Sequence, residues 1–283
     1  MAKRWLLRVA VLIVLVVFMF PLYWMVLTSL KTRVAVGDSK PSFIFKPTAA
    51  NYERVVWDIR RTRDGKVEKE PSDFPLSLLN SLIIGGISTL VAVMFGTAAA
   101  YAFSRFKVPA KGDLLFFILS TRMLPPMVIV VPVFIMYGRL GLLHTHVGLI
   151  ILYAAFNMSF AVWMMKSFID EIPREYEEAA MCDGYSRLGA FLRVVVPQVY
   201  PGAAVTAIFC MITAWNEYVF AMILNADSPL SAPYRIAKTP ITTSGTPFEQ
   251  IAALCVVFLL PVVICTFLLR KHLLRGITFG IVK

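Results

Sequence analysis

A lipid bilayer asks for about 20 consecutive apolar residues per helical span, and this chain meets the requirement six times. The runs cover roughly residues 5–30, 76–103, 113–137, 147–168, 198–224 and 248–270. At 58% hydrophobic residues the chain is too apolar for a soluble domain and ordinary for a multi-span membrane protein. The predicted fold class is therefore an all-α membrane protein with six transmembrane helices, residues 1–283 forming a single transmembrane domain in the lipid bilayer. The first run is far longer than a signal-peptide core and lacks a small-residue cleavage site, so it is read as a retained anchor.

Charge sets the orientation. The formal net charge is +11, but the basic residues gather at the ends of apolar runs rather than forming a stripe on a soluble face, which argues against a nucleic-acid partner. Lys3, Arg4 and Arg8 sit at the start of the first span, Arg105, Lys107 and Lys111 occupy the short loop after the second, and Arg270, at the end of the sixth, is followed by Lys271 and Arg275. The loop near 138–147 carries only Arg139 as a basic residue. The positive-inside rule then predicts both termini in the cytoplasm, N-in and C-in, with a cytoplasmic tail at 271–283. The outer loop at 31–75 is basic as well, but long loops are translocated largely regardless of charge. Its middle, from Arg60 to Glu70, alternates in sign and predicts a solvated hairpin or flexible tip. It serves either as a spacer or as an outer contact surface for a partner.

Between the fourth and fifth spans lies a polar island, residues 169–197. Pro173 suits a first helical position, where its missing N–H costs nothing. Glu175, Glu177 and Glu178 crowd the first turns, at the positive end of the helix dipole. Ala179 and Ala180 present almost no side chain, which would let another protein's backbone come close. Asp183 and Gly184 close the segment, glycine being suited to the left-handed angles of a helix stop. Ser186 can cap a second short helix running to Val196, and Pro197 marks the start of span five. The expected product is a helix–turn–helix along the membrane face. The bland alternative is an amphipathic helix resting on lipid, though anionic headgroups would repel its acidic face.

Glu178-Ala179-Ala180, three residues, Gly184, nine residues, then Val194-x-Val196-Pro197 resembles the EAA loop of ABC-importer permeases, with valine at both positions where that pattern has Ile and Leu. Phe45-Lys-Pro-Thr, Asn51-Tyr52, Leu79-Asn-Ser81, Ala98-Ala-Ala-Tyr-Ala-Phe-Ser-Arg105, Trp215-Asn-Glu217 and the tail from Arg275 to Lys283 are similar to the carbohydrate-type group of that family, which includes the maltose-system permeases. The tail ends Gly280-Ile-Val-Lys283, where Gly-Ala-Val-Lys is commoner. The resemblance implies half of an import channel for a sugar or polyol. It also implies a second permease subunit, two ABC ATPase subunits and an extracytoplasmic solute-binding protein as partners. ATP and Mg would be bound by the ATPases and no cofactor by this chain. Coupling to the ATPase would fall to Glu178, Ala179, Ala180, Asp183, Gly184 and Pro197, with Glu178 facing a basic residue of the ATPase, and the tail would reach into the ATPase dimer. The membrane would be the cytoplasmic membrane of a bacterium or archaeon.

An ionised side chain near the centre of a span costs about 2.5–3.5 kcal/mol on insertion scales, so such groups usually face an interior. Arg122 lies roughly 14 Å into span three at about 1.5 Å per residue, and Glu217 about 10 Å from the outer end of span five. In a core about 30 Å thick their depths differ by about 6 Å, within reach of one another. They are expected to pair or approach near the pore, either at the substrate pathway or as a purely structural ion pair. Pro125-Pro126 should break span three, which is tolerated where the break lines a cavity. Asn157, Trp215 and Asn216 join Arg122 and Glu217 as candidate pathway residues, with helix–helix hydrogen bonding an equal alternative for Asn157 and Asn216. Trp163 and Tyr218 have the same hydroxyl-binding and stacking chemistry but suit interfacial anchors.

Other functions find less support. A secondary transporter needs internal repeats and ion-coupling carboxylates in several spans, yet Glu217 is the single acid deep in an apolar run. There is no Walker A, HExxH or zinc-type Cys/His spacing. Cys182, Cys210, Cys255 and Cys265 show no paired spacing, and His144-x-His146 sits in a loop with His272 far off in the tail, so no metal site is expected. An amino-acid or peptide importer permease is the runner-up.

Overall fold

In the computed structural model, residues 2–38, 40, 42–61, 67–227, 231–241 and 245–279 are described. The elements are α1 (Ala2–Ser29), α2 (Arg33–Gly37), α3 (Ala50–Val56), β1 (Trp57–Arg61), β2 (Val67–Pro71), α4 (Phe74–Arg105), α5 (Lys111–Thr121), α6 (Pro126–Leu140), α7 (His146–Asp170), α8 (Glu175–Cys182), α9 (Arg187–Ala190), a π-helical turn (Phe191–Val195), α10 (Val196–Trp215), α11 (Val219–Leu224), α12 (Ala232–Ala237) and α13 (Phe248–Phe279). Among the described residues, five helices are long and apolar enough to cross a bilayer, and six if α5 and α6 count as one broken span. The chain divides into two compact units, Met1–Leu78 with Arg235–Pro261, and Leu79–Tyr234 with Val262–Lys283.

In the first unit, α1 is apolar all round, and none of the residues in its membrane-length window is buried. A helix of this kind needs lipid, or another helix, as its solvent. Its end is pinned by the loop that follows. The buried Asn51 amide donates to the carbonyls of Ser29 and Lys31, both at 2.8 Å. Thr48 N donates to Leu30 O at 2.8 Å, and the Tyr52 and Ser29 hydroxyls lie 2.7 Å apart. The Asn51-Tyr52 pair is thus a clamp. β1 and β2 form an antiparallel hairpin in register from Trp57↔Pro71 to Arg61↔Val67. Ion pairs Lys69–Glu53 and Arg235–Asp58 (3.6 Å) tie the hairpin to its neighbours. The all-α expectation therefore needs one correction, and it falls where the alternating charges predicted a hairpin; an extended ladder lets successive side chains face opposite sides. The tip at 62–66 lies outside the described residues.

The second unit is built on α4, α7 and α10. Small residues let these helices approach: a Cβ on Gly96 would fall 2.6 Å from that of Ala161, and one on Gly202 would fall 2.4 Å from the Phe168 ring. Such contacts drive helix association in lipid, where hydrophobic burial between helices is weak. Span three is broken as Pro125-Pro126 predicted. α5 ends at Thr121, Pro125 is extended (φ −61°, ψ 133°), Pro126 begins α6, and the two helices are bent by 88°. Proline forces the residue before it out of helical geometry.

Span five departs from the expected 198–224. The helix runs without interruption from Arg187 to Trp215, so the second short helix of the island is the first turn of the span. Ser186 caps it by accepting from Gly189 N at 3.1 Å. The π turn absorbs Pro197: Val196 N reaches back five residues to Phe191 O, shifting the ladder just where proline supplies no donor. At the other end the helix stops at Asn216, and residues 219–224 form α11 separately.

Candidate functional site

The island makes one surface helix, α8, and a latch behind it. Gly184 ends α8 with φ +90°. Tyr185 N donates to Ala180 O and Gly184 N to Met181 O, both at 3.1 Å. That is the Schellman pattern, which satisfies the last carbonyls and turns the chain. Glu178, Ala179, Asp183 and Gly184 are exposed, together with Tyr176, Tyr185 and Leu188. Ala180 is buried against the protein rather than offered to a partner.

Glu177 is the residue that fixes α8 in place. Its carboxylate is buried and takes Arg105 Nε at 2.5 Å and the Tyr101 hydroxyl at 2.8 Å. The Arg105 guanidinium also donates to Ile172 O at 2.8 Å and to Ser104 Oγ at 3.3 Å. Arg174 donates to Ser104 O at 3.0 Å, and Ser104 Oγ donates to Asp170, which also holds Lys166. The Tyr101 ring lies 4.4 Å from that of Phe191. The end of α4, the end of α7, α8 and the start of the α9–α10 helix are thereby joined. Sequence reasoning placed Arg105 only as an orienting charge and Glu177 only as a dipole partner. The signal available was the Tyr101-x-x-x-Arg105 spacing, which puts both side chains on one helix face.

A second polar site lies deeper in the same unit. Arg122, Asn157 and Glu217 border one cavity of about 190 Å³, with Leu124, Pro126, Tyr153, Phe156, Thr213, Ala214 and Phe220. Arg122 and Glu217 share this space without an ion pair. Glu217 caps α11, accepting from Phe220 N at 2.9 Å and Ala221 N at 3.3 Å, and takes the Tyr153 hydroxyl at 2.5 Å. Arg122 lies over the Phe160 ring at 4.9 Å. Asn157 is buried and donates to Cys210 O at 3.2 Å, while its Oδ1 has no partner among the described residues. Trp215 is buried in the protein, and Asn216 is exposed with its amide on Ile212 O at 2.8 Å; neither borders the cavity. Trp163 donates to Leu115 O at 3.1 Å, and Tyr218 packs beside Tyr234. His146 meets Asn80 at 3.0 Å, and Ser81 accepts from Ala232 N at 2.8 Å, so the Leu79-Asn-Ser81 motif joins helix ends. The tail residues Gly280 to Lys283 lie outside the described residues.

The family described as binding-protein-dependent transport system inner membrane component matches over residues 92–279, which holds α8, the latch and the cavity. The chain belongs to that family. This permease is a multi-pass protein of the cytoplasmic membrane and a transport subunit rather than a catalyst. It is 34% identical over 272 residues to the trehalose transport system permease SugB of Mycobacterium tuberculosis, covering 94% of this chain and 92% of that protein. It is 33% identical to a probable ABC transporter permease, y4oR, of Sinorhizobium fredii, over 94% of this chain and 91% of that one. The trehalose/maltose transport system permease MalG of Thermococcus litoralis is 29% identical over 99% of this permease and 97% of its own length. A solved bacterial ABC transporter involved in the import of the acidic polysaccharide alginate covers 95% of this permease and 96% of that chain, with a TM-score of 0.73 at 22% identity. At that identity the likeness speaks for the fold alone.

Proposed function

We propose that this permease forms, with a second permease, the pathway of an ATP-driven importer for a sugar or polyol delivered by a solute-binding protein. In this reading residues 1–283 act as one membrane domain of six spans, α5 and α6 being the broken third, with both termini in the cytoplasm. α8 lies on the cytoplasmic side and docks on a soluble ATPase through Glu178, Ala179, Asp183 and Gly184. ATP and Mg belong to the two ATPase subunits, and this chain holds neither.

The observation that carries the proposal is the split between Glu177 and Glu178. One carboxylate is locked to α4 through Arg105, while its neighbour faces out unoccupied on a helix rimmed by Tyr176 and Leu188. A buried ion pair cannot slide without exposing an uncompensated charge. A push on α8 by a moving ATPase would therefore be delivered to the ends of α4 and α7 as a unit. The π turn and Pro197 stand where the same push would enter α10. Relatives named for trehalose and for trehalose/maltose transport favour a sugar over an amino acid or peptide.

The test is affinity purification from gently solubilised membranes, with a Glu178→Lys, Gly184→Asp variant beside the native chain. A soluble ATPase and a second permease should accompany the native chain, and the ATPase should be missing from the variant. A chain that comes out alone would overturn the proposal.

A further inference from the structure

We propose that the cavity bordered by Arg122, Asn157 and Glu217 is a subsite for a single neutral sugar or polyol ring, read through adjacent hydroxyls. The inference rests on the importer reading and deepens it by naming what this chain itself recognises. Its starting point is hydrogen-bonding capacity left unused. Asn157 is 1% exposed, and its Oδ1 has no partner among the described residues. Its orientation is fixed, because Nδ2 donates to Cys210 O at 3.2 Å and a reversed amide would set oxygen against oxygen. A buried polar atom without a partner is costly, and natural proteins rarely keep one unless something else satisfies it. Arg122 offers five N–H donors in a fixed fork. Among the described residues its guanidinium meets only the Phe160 ring. Glu217 has about four lone-pair positions, and Tyr153, Phe220 and Ala221 take three while the Val219 N–H takes the fourth.

The ligand that fits must donate to Asn157 while accepting from Arg122. A hydroxyl does both, and two on adjacent carbons do so in two directions at once. Charge narrows the class further. Glu217 disfavours an anion in this cavity and Arg122 disfavours a cation. With its lone pairs taken by Tyr153 and the start of α11, Glu217 has no acceptor left for the ammonium of a zwitterion, so the site favours an uncharged polar molecule. Leu124, Pro126, Phe156 and Phe220 supply apolar wall for the C–H faces of a ring. The volume, about 190 Å³, is room for only a few waters at about 30 Å³ each, and suits one ring rather than a chain of them.

The experiment introduces Thr213→Cys, an exposed residue on the cavity wall, into the co-purified transporter. Cys182, Cys210, Cys255 and Cys265 are replaced by serine, and a free thiol added to the same sample is the reference. Labelling by a small thiol reagent is followed with glucose, maltose, trehalose and sorbitol, and with glucuronate and glucosamine. A sugar at about ten times its Kd leaves about one site in ten open, so at least one neutral sugar should slow labelling of Cys at 213 about tenfold while the reference thiol is unaffected. Asn157→Leu should remove that protection, and Arg122→Gln, which changes an exposed side chain, supplies the same test should Asn157→Leu not fold. Equal protection by glucuronate, protection that survives both variants, or no protection by any neutral sugar overturns the subsite. If in those cases the ATPase still co-purifies, the importer reading stands; if it does not, both fall.

Discussion

Two polar clusters in the Leu79–Tyr234 unit keep different accounts of their hydrogen bonds. In the latch every group is spent: Arg105 on Glu177, Ile172 and Ser104, Glu177 on Tyr101 as well, Asp170 on Ser104 and Lys166. In the cavity Arg122 has only an aromatic ring, and Asn157 keeps an orphan oxygen. Both sit on the same frame of α7 and α10, so the difference is not one of position alone. A saturated network holds one geometry and transmits force. An unsaturated one holds a place for something that arrives.

The largest effect should come from breaking the saturated side. Arg105 and Glu177 are 6% and 7% exposed, and removing one partner leaves the other as an uncompensated buried charge, at about 3–5 kcal/mol. Arg105→Gln should therefore lower stability by that order in detergent-micelle unfolding, with much of the loss recovered when Glu177→Leu accompanies Arg105→Leu. A loss below about 1 kcal/mol, the range of exposed pairs, would mean that water reaches the latch and that the contrast with the cavity is false.

The frame comes next. A Cβ on Gly202 would stand 2.4 Å from the Phe168 ring, and overpacking of this kind costs about 1–3 kcal/mol. Gly202→Ala should separate α10 from α7 and disturb both clusters together. If it lowered stability yet left the cavity protected by sugar as before, the two clusters would not share a frame.

A smaller pair of substitutions probes the unsaturated side directly. Glu217→Ala removes the cap of α11, worth about 0.5–2 kcal/mol, whereas Glu217→Gln keeps an acceptor for Tyr153 and Phe220 and should cost less. Arg122→Ala should cost no more than about 1 kcal/mol, the worth of an exposed cation–π contact. Should Arg122→Ala cost as much as Arg105→Gln, the cavity would be a second latch rather than a ligand site.

The sequence carried the helices well because lipid imposes a length and proline a break: the breaks at Pro125-Pro126 and Gly184 were both legible. It carried the span-five boundaries poorly. Pro197 reads as a helix start, since nothing local announces that a π turn will absorb it, and Asn216 ends the helix inside an apolar run. The site was legible in part. Arg122, Asn157 and Glu217 stood out because polar groups are rare in spans, and they do border one cavity. Their pairing could not be read, because Glu217 is claimed by Tyr153 and by the backbone of α11, partners that only the tertiary fold brings near. Trp215 and Asn216 were grouped with Glu217 by the chemistry of their side chains, yet a helix turns about 100° per residue, so neighbours in sequence face apart. For the same reason Glu177 was hidden behind Glu178.

That last pair gives the smallest expected change in stability and the sharpest test. Glu178 is exposed and its side chain has no hydrogen bond or ion pair among the described residues, so Glu178→Lys should leave unfolding within about 0.5 kcal/mol of the native chain. The same exchange at Glu177 would bring a lysine against Arg105 in a buried pocket and should destabilise on the scale of Arg105→Gln. ATPase retention and sugar-stimulated hydrolysis are then measured on both. A stable Glu178→Lys chain that loses its ATPase would separate docking from folding at two adjacent residues. A stable Glu178→Lys chain that keeps its ATPase and its hydrolysis would leave the latch intact but deprive α8 of its role, because a locked helix with no partner has nothing to transmit.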